Sequence, residues 1–269
     1  MSSDQPHLPS RRQMLGLLGG LGVVVAAGCG DDNATTAAAA AASTTAGATA
    51  TTAASTAAAT TTCSIIPEET AGPFPGDGTN GPNVLTMSGV VRSDIRSSIG
   101  TAKGVATGVP LTVNLTVVDS KNGCKPLAGA AVYIWHCDIN GGYSLYSPGV
   151  TAENYLRGVQ VTDSNGVVNF TSIFPAAYSG RWPHIHLEVF ANVASATNGR
   201  NNIAVSQMAL TEDVCKLVYA TNGYSQSVKN MAQTSLKTDM VFSDGVSLQT
   251  PTMSGTTATG YVAKMLVAV

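Results

Sequence analysis

In Leu111-Thr112-Val113-Asn114-Leu115-Thr116-Val117, apolar and polar side chains alternate, the period of a strand with one buried face. Pro126-Leu127-Ala128-Gly129 has turn chemistry, and Ala131 to Trp135 is a run of β-forming residues that predicts a second strand. Val159 to Thr162 and Val167 to Thr171 flank Asp163-Ser164-Asn165-Gly166, whose Asn-Gly tip predicts a hairpin. Ile185, Leu187 and Val189 alternate with His184, His186 and Glu188. Ile203–Leu210 and Tyr261–Val269 predict later strands, and Glu212–Tyr219 a short helical piece. There is no long amphipathic helix, no GxGxxG and no P-loop, which argues against a nucleotide cofactor. Several strands separated by Gly/Pro/Asn turns predict an all-β chain folded as an antiparallel β-sandwich.

Composition changes the picture at the N-terminal end. Of the 269 residues 44% are hydrophobic, but residues 34–62 contain only Ala, Thr, Ser and Gly. Such a stretch cannot bury enough apolar surface to offset its ordering entropy, and residues 30–62 are read as a disordered Ala/Thr-rich linker. Ahead of it, Ser10-Arg11-Arg12-Gln13-Met14-Leu15 resembles a twin-arginine export motif, followed by an apolar run too short to span a bilayer, for which about 20 residues are needed. Ala26-Ala27-Gly28-Cys29 resembles a lipoprotein processing site, the alternative being an ordinary signal cleavage with Cys29 incidental. The expectation is a signal peptide over 1–29 and delivery to the cell envelope or exterior, with a lipid on Cys29 as membrane anchor. Residues 63–269 are then one β-sandwich domain. Its Cys63, Cys124, Cys137 and Cys215 are even in number in an oxidising compartment. Three connectivities are open; Cys124–Cys137, which flank a short connection and one strand, are the expected pair, with four buried free thiols as the alternative. A net charge of −2 and 11% charged residues offer no basic face for nucleic acid.

Candidate chemistry starts at His184-Ile185-His186. Residues two apart on a strand share a face, so both imidazoles project together and can bind one metal ion. Read alone, the pair could equally be two histidines on a polar strand face. A zinc or copper site of three histidines would have to recruit His136. Tyrosine is the other feature. Tyr178 stands six residues before the pair, in Ala177-Tyr178-Ser179-Gly180-Arg181-Trp182-Pro183, and Tyr143 follows Trp135-His136-Cys137-Asp138-Ile139-Asn140-Gly141-Gly142.

These two segments resemble the intradiol ring-cleavage dioxygenases, in which one tyrosine follows a tryptophan-headed strand and a glycine turn and a second precedes an arginine and a His-x-His strand. The stretches Pro67-Glu68-Glu69-Thr70-Ala71-Gly72-Pro73-Phe74 and Leu156-Arg157-Gly158-Val159-Gln160-Val161-Thr162-Asp163 also fit, so the likeness spans roughly 67 to 210. The resemblance implies a sandwich with long active-site loops and one non-haem Fe(III) held by Tyr143, Tyr178, His184 and His186. It implies that O2 opens the ring of a catechol-type aromatic between its hydroxyl-bearing carbons, giving a muconate-type diacid. Arg181 would steady negative charge, Gln207 would orient the ring, and Tyr178 is the tyrosine placed to dissociate and act as a base. Pro73, Phe74 and Trp182 would contact substrate. Phenolates suit ferric iron as hard oxygen donors, whereas two histidines and one carboxylate would suit ferrous iron. Tyr146 and Tyr155 are the rivals of Tyr143. A rival function is a tethered sugar- or protein-binding sandwich without catalysis. Oligomerisation is left open.

Overall fold

The computed structural model describes residues 62–269, so the expected signal segment over 1–29, Cys29 and the linker up to residue 61 lie outside the described residues. Among the described residues nine strands form two sheets. The first sheet contains β1 (Pro110–Asp119), β2 (Lys125–Pro126), β5 (Val167–Ile173), β8 (Thr252–Thr256) and β9 (Gly260–Ala268). The second runs in the order β4 (Arg157–Val161), β3 (Ala131–Trp135), β6 (His184–Phe190) and β7 (Ala204–Ala209). Leu111, Val113, Leu115 and Val117 of β1 pack into one core with Val132 and Ile134 of β3 and Ile185, Leu187 and Val189 of β6. The period-two pattern thus becomes a sheet-on-sheet interior, and the fold is all-β with two helices. One pairing departs from the antiparallel expectation: β9 runs parallel to β1 over eight residues. Parallel neighbours need a long crossover, and here the whole chain from β2 to β8 lies between the two strands. That crossover contains α1 (Glu212–Tyr219), as expected, and α2 (Ser225–Met231). In α2 only Ser227 and Met231 are buried, too little apolar periodicity to read as a helix.

The predicted hairpin around Asn165-Gly166 does not form as a paired ladder. Its two arms enter different sheets, β4 pairing with β3 and β5 with β1. The turn itself is as read, with Asp163 Oδ1 accepting the backbone N–H groups of Asn165 and Val167. Gly166 then presses against β1, donor Val117 N lying 2.8 Å from its carbonyl. A Cβ there would sit 2.3 Å from Val117 O, and φ is +73°, so glycine is required twice over.

The expected Cys124–Cys137 bridge is also corrected. Cys63 pairs with Cys124 at a Cα–Cα distance of 5.8 Å. The N-terminal segment runs along β9, Ile66 N donating to Ala268 O, and delivers Cys63 to the β1–β2 turn. Cys137 and Cys215 are buried free thiols. Cys137 lies buried just after β3, its thiol 3.4 Å from the carbonyl of Ala176, and Cys215 lies on the core side of α1.

All seven residues of β6 are buried. Ile185 and Leu187 face the main core, while on the opposite face Tyr133 and Trp135 stand beside β6 in the sheet and pack with Val84, Leu85, Val90 and Tyr143. The histidine pair therefore lies under a second layer of chain and not on a solvated strand face.

Candidate metal centre

Strand geometry and a stacked neighbour aim the two imidazoles. Trp135 stands opposite His186 in the β3–β6 ladder, and their rings stack at 4.7 Å and 7°. The Nδ1 of His184 lies 2.5 Å from the carbonyl of Trp182, so this nitrogen carries the proton and Nε2 keeps its lone pair. The two Nε2 atoms are 3.1 Å apart. The buried Nδ1 of His186 has no partner among the described residues.

Two loops bring the phenols to the same point. In the first, Asp138 Oδ1 accepts from Asn140 N and Gly142 N, closing a turn that ends at Tyr143. In the second, Tyr178 packs against the first loop at Gly141, where φ is +82° and a Cβ would come 3.1 Å from Tyr178 Cβ. Tyr143 Oη lies 3.3 Å and Tyr178 Oη 3.2 Å from His184 Nε2. Four donors set tetrahedrally at about 2.0 Å from one ion are about 3.3 Å apart, so these spacings match the edges of a metal coordination shell. Among the described residues no three His, Cys, Asp or Glu side chains form a metal site; the convergent set here contains two phenols.

Burial sets the charge state. Desolvation pushes His184 down to about 3 and His186 well below its ordinary value, with Arg181 adding to both, so both imidazoles are neutral donors. Desolvation raises the phenols of Tyr143 and Tyr178, and the Arg181 guanidinium opposes the rise at both. A hard cation at this point would supply the field that ionises them. The residues present thus fit a cation of high charge: two neutral nitrogens, two ionisable oxygens and no resident carboxylate.

Around the donors, Arg181 gives one N–H to Asp239 at 2.9 Å and another to Gln207 Oε1 at 2.7 Å. Gln207 in turn donates to the carbonyl of Thr70. That bond ties the 67–74 segment over the site, with Gly72 at φ +71° so close that a Cβ would meet the His186 ring at 3.2 Å. Phe74 lies 5.0 Å from the Tyr143 ring, whereas Pro73 is exposed at the rim.

Trp182, expected as a substrate contact, turns into the core. Its indole is buried in the main core, its N–H donates to Leu210 O, and it borders a cavity of about 690 Å³ against α1 and α2 that none of the four donors lines. Its backbone carbonyl, and not its ring, serves the site. The rival tyrosines are used elsewhere: Tyr146 donates to Asn80 and Tyr155 to Asp138. His136 has both nitrogens engaged, with Cys137 O and Ser172 Oγ, which removes it as a third histidine ligand.

Sequence reading missed Asp138, Arg157, Asp239 and Phe242. Asp138 carried a legible signal, since Asp-x-Asn-Gly-Gly is an Asx-turn pattern. Arg157, fully buried, donates to the carbonyls of Phe74, Pro75 and Ser144 and so binds the covering segment to the Tyr143 loop. Phe242 packs 6.3 Å from His184.

An all-β sandwich that brings two phenols and two imidazoles together is similar to known dioxygenases. Residues 81–198 match the family model described as Dioxygenase. The fold is similar to that of an intradiol ring-cleavage dioxygenase from Tetranychus urticae, with TM-score 0.59 and 27% identity over 77% of this chain and 94% of that one. Catechol 1,2-dioxygenase of Pseudomonas sp. (strain EST1001) is 41% identical over 54 residues, 20% of this chain and 18% of that protein. Chlorocatechol 1,2-dioxygenase of Rhodococcus opacus is 38% identical over 53 residues, 20% of this chain and 21% of that protein. The chain spans about a fifth of the length of the curated relatives it matches. Together these likenesses make the chain similar to the intradiol ring-cleavage dioxygenases in fold and in the matched segments.

Proposed function

We propose that the protein binds one Fe(III) through Tyr143, Tyr178, His184 and His186 and cleaves the ring of a catechol-type diol between its hydroxyl-bearing carbons. Both atoms of O2 end in the two carboxyl groups of a muconate-type diacid. The observation that carries this reading is the convergence of two phenols and the second imidazole on His184 Nε2 at 3.1–3.3 Å. Bound Fe(III) would supply a hard Lewis acid that ionises phenols and withdraws electron density from an aromatic diol.

The chain's own residues do the rest. Tyr178 is the half-buried phenol, beside Arg181, and its Oη is the base that takes a proton from an entering hydroxyl. Tyr143, fully buried, stays in place. Arg181 presents a fixed cation to negative charge developing on the ring, and Gln207, locked between Arg181 and Thr70, orients that ring. Gly72 and Phe74 close the His186 and Tyr143 side against water.

The same proposal extends to delivery: twin-arginine export, a lipid on Cys29, and a tether that leaves the sandwich free to meet soluble diols outside the cytoplasm. The test is to load the purified chain with ferric iron, record its visible spectrum, and follow O2 uptake with catechol, protocatechuate, hydroxyquinol and larger diols. A red-brown protein consuming one O2 per diol is expected. A preparation that stays colourless and inactive after loading overturns the proposal and leaves a binding sandwich.

A further inference from the structure

Asp239 lies outside the matched segment 81–198 and in a stretch with no strand or helix pattern, yet it touches the site from behind. Its carboxylate has no exposed surface. Oδ1 accepts the backbone N–H groups of Val241 at 2.8 Å and Phe242 at 3.2 Å, which fixes the carboxylate plane. Oδ2 accepts Trp182 N at 2.6 Å and Arg181 Nε at 2.9 Å. Arg181 is held a second time by Gln207 through Nη2, and its guanidinium lies 5.8 Å from the centre of the Phe242 ring. A guanidinium is a planar fork, so anchoring Nε and Nη2 fixes its plane and the direction of the remaining N–H groups. The same carboxylate also holds the backbone of Trp182, whose carbonyl orients His184. The carboxylate is thus the anchor of the cation, while His184 keeps its own bond to the Trp182 carbonyl.

We propose that Asp239 is a positioning residue that acts through Arg181, holding its guanidinium toward the place where the ring bound at Tyr143, Tyr178, His184 and His186 acquires negative charge. The proposal rests on the ring-cleavage reading given above. It requires that displacing the guanidinium by one methylene matters even when charge is retained. A misplacement of about 1 Å costs on the order of 100-fold in rate.

The experiment uses the full iron-loaded chain with Asp239→Glu, Asp239→Asn, Arg181→Gln and the Arg181→Gln/Asp239→Asn double variant. Asp239→Glu keeps the charge, so it decides the matter if Asp239→Asn fails to fold by thermal melting. Expected are iron content and visible band as in the wild type, and an anaerobic diol titration of the band within about threefold. Against these, kcat should fall about 100-fold. In the Arg181→Gln background, Asp239→Asn should lower kcat no further, because residues acting as a unit are not additive. An Asp239→Glu protein with wild-type kcat, or equal losses from Asp239→Asn in both backgrounds, overturns the proposal while leaving ring cleavage standing. A wild-type chain without colour or turnover overturns both.

Discussion

The two tyrosine loops do the same geometric job by different means. The loop carrying Tyr143 is built from within: Asp138 closes it, Ser147 Oγ accepts Tyr143 N, and Arg157 and Phe74 pack it down, leaving Tyr143 1% exposed. The loop carrying Tyr178 is held at its ends, by Ser227 and Asn230 of α2 at Ala177 and by Asp239 at Arg181 and Trp182, while Tyr178 itself stays half-buried beside a cation. On the proposed reading, a phenol enclosed on all sides is the resident ligand. One at the edge of the site, next to a guanidinium, can leave and return.

Four experiments break or sharpen that comparison, the largest effect first. Tyr143→Phe should abolish stable iron binding, read as metal stoichiometry after desalting; a variant that retains a full equivalent would make the loops equivalent. Tyr178→Phe should keep iron, shift the visible band and lower kcat by about 100-fold, the usual worth of a positioned base; unchanged turnover would remove it as the base. Trp182→Phe should cost about 1–3 kcal/mol of stability through the lost bond to Leu210 and lost volume, with KM unchanged. A raised KM at wild-type stability would return the indole to the substrate pocket.

The smallest effect tests the other end of the histidine face. Glu188, buried beside Asp77, is pushed up to about 8 from an ordinary 4.5, by burial first and then by Asp77. The folded protein keeps a proton there that the unfolded chain loses at lower pH. The resulting stability is complete below about pH 4.5 and disappears as pH rises through about 8. Glu188→Gln should therefore melt a few degrees above wild type at pH 9, at about 2–4 °C per kcal/mol, and not at pH 5. Parallel curves for the two proteins across this range would show that Glu188 is not the group responsible.

Much of the fold was legible because strands leave a period-two trace: β1, β3, β6, β7 and β9 fall where alternation or β-forming runs put them. The turn at Asn165-Gly166 was legible too, but not the parting of its arms, since the sheet a strand joins depends on distant partners such as Val117. Likewise, cysteine spacing could not show that the N-terminal segment returns along β9 to place Cys63 at Cys124.

The chain by itself determined the pieces whose geometry is local. Two histidines two apart on a strand share a face, and a tyrosine six residues earlier is tethered near them. Family likeness in sequence added Tyr143. Only the tertiary structure decided that Tyr143, and not Tyr146 or Tyr155, meets His184, that Trp182 turns into the core, and that Asp239, 58 residues beyond Arg181, holds it. Such contacts join segments far apart in the chain, and no local period or propensity records which buried acceptor a guanidinium will find.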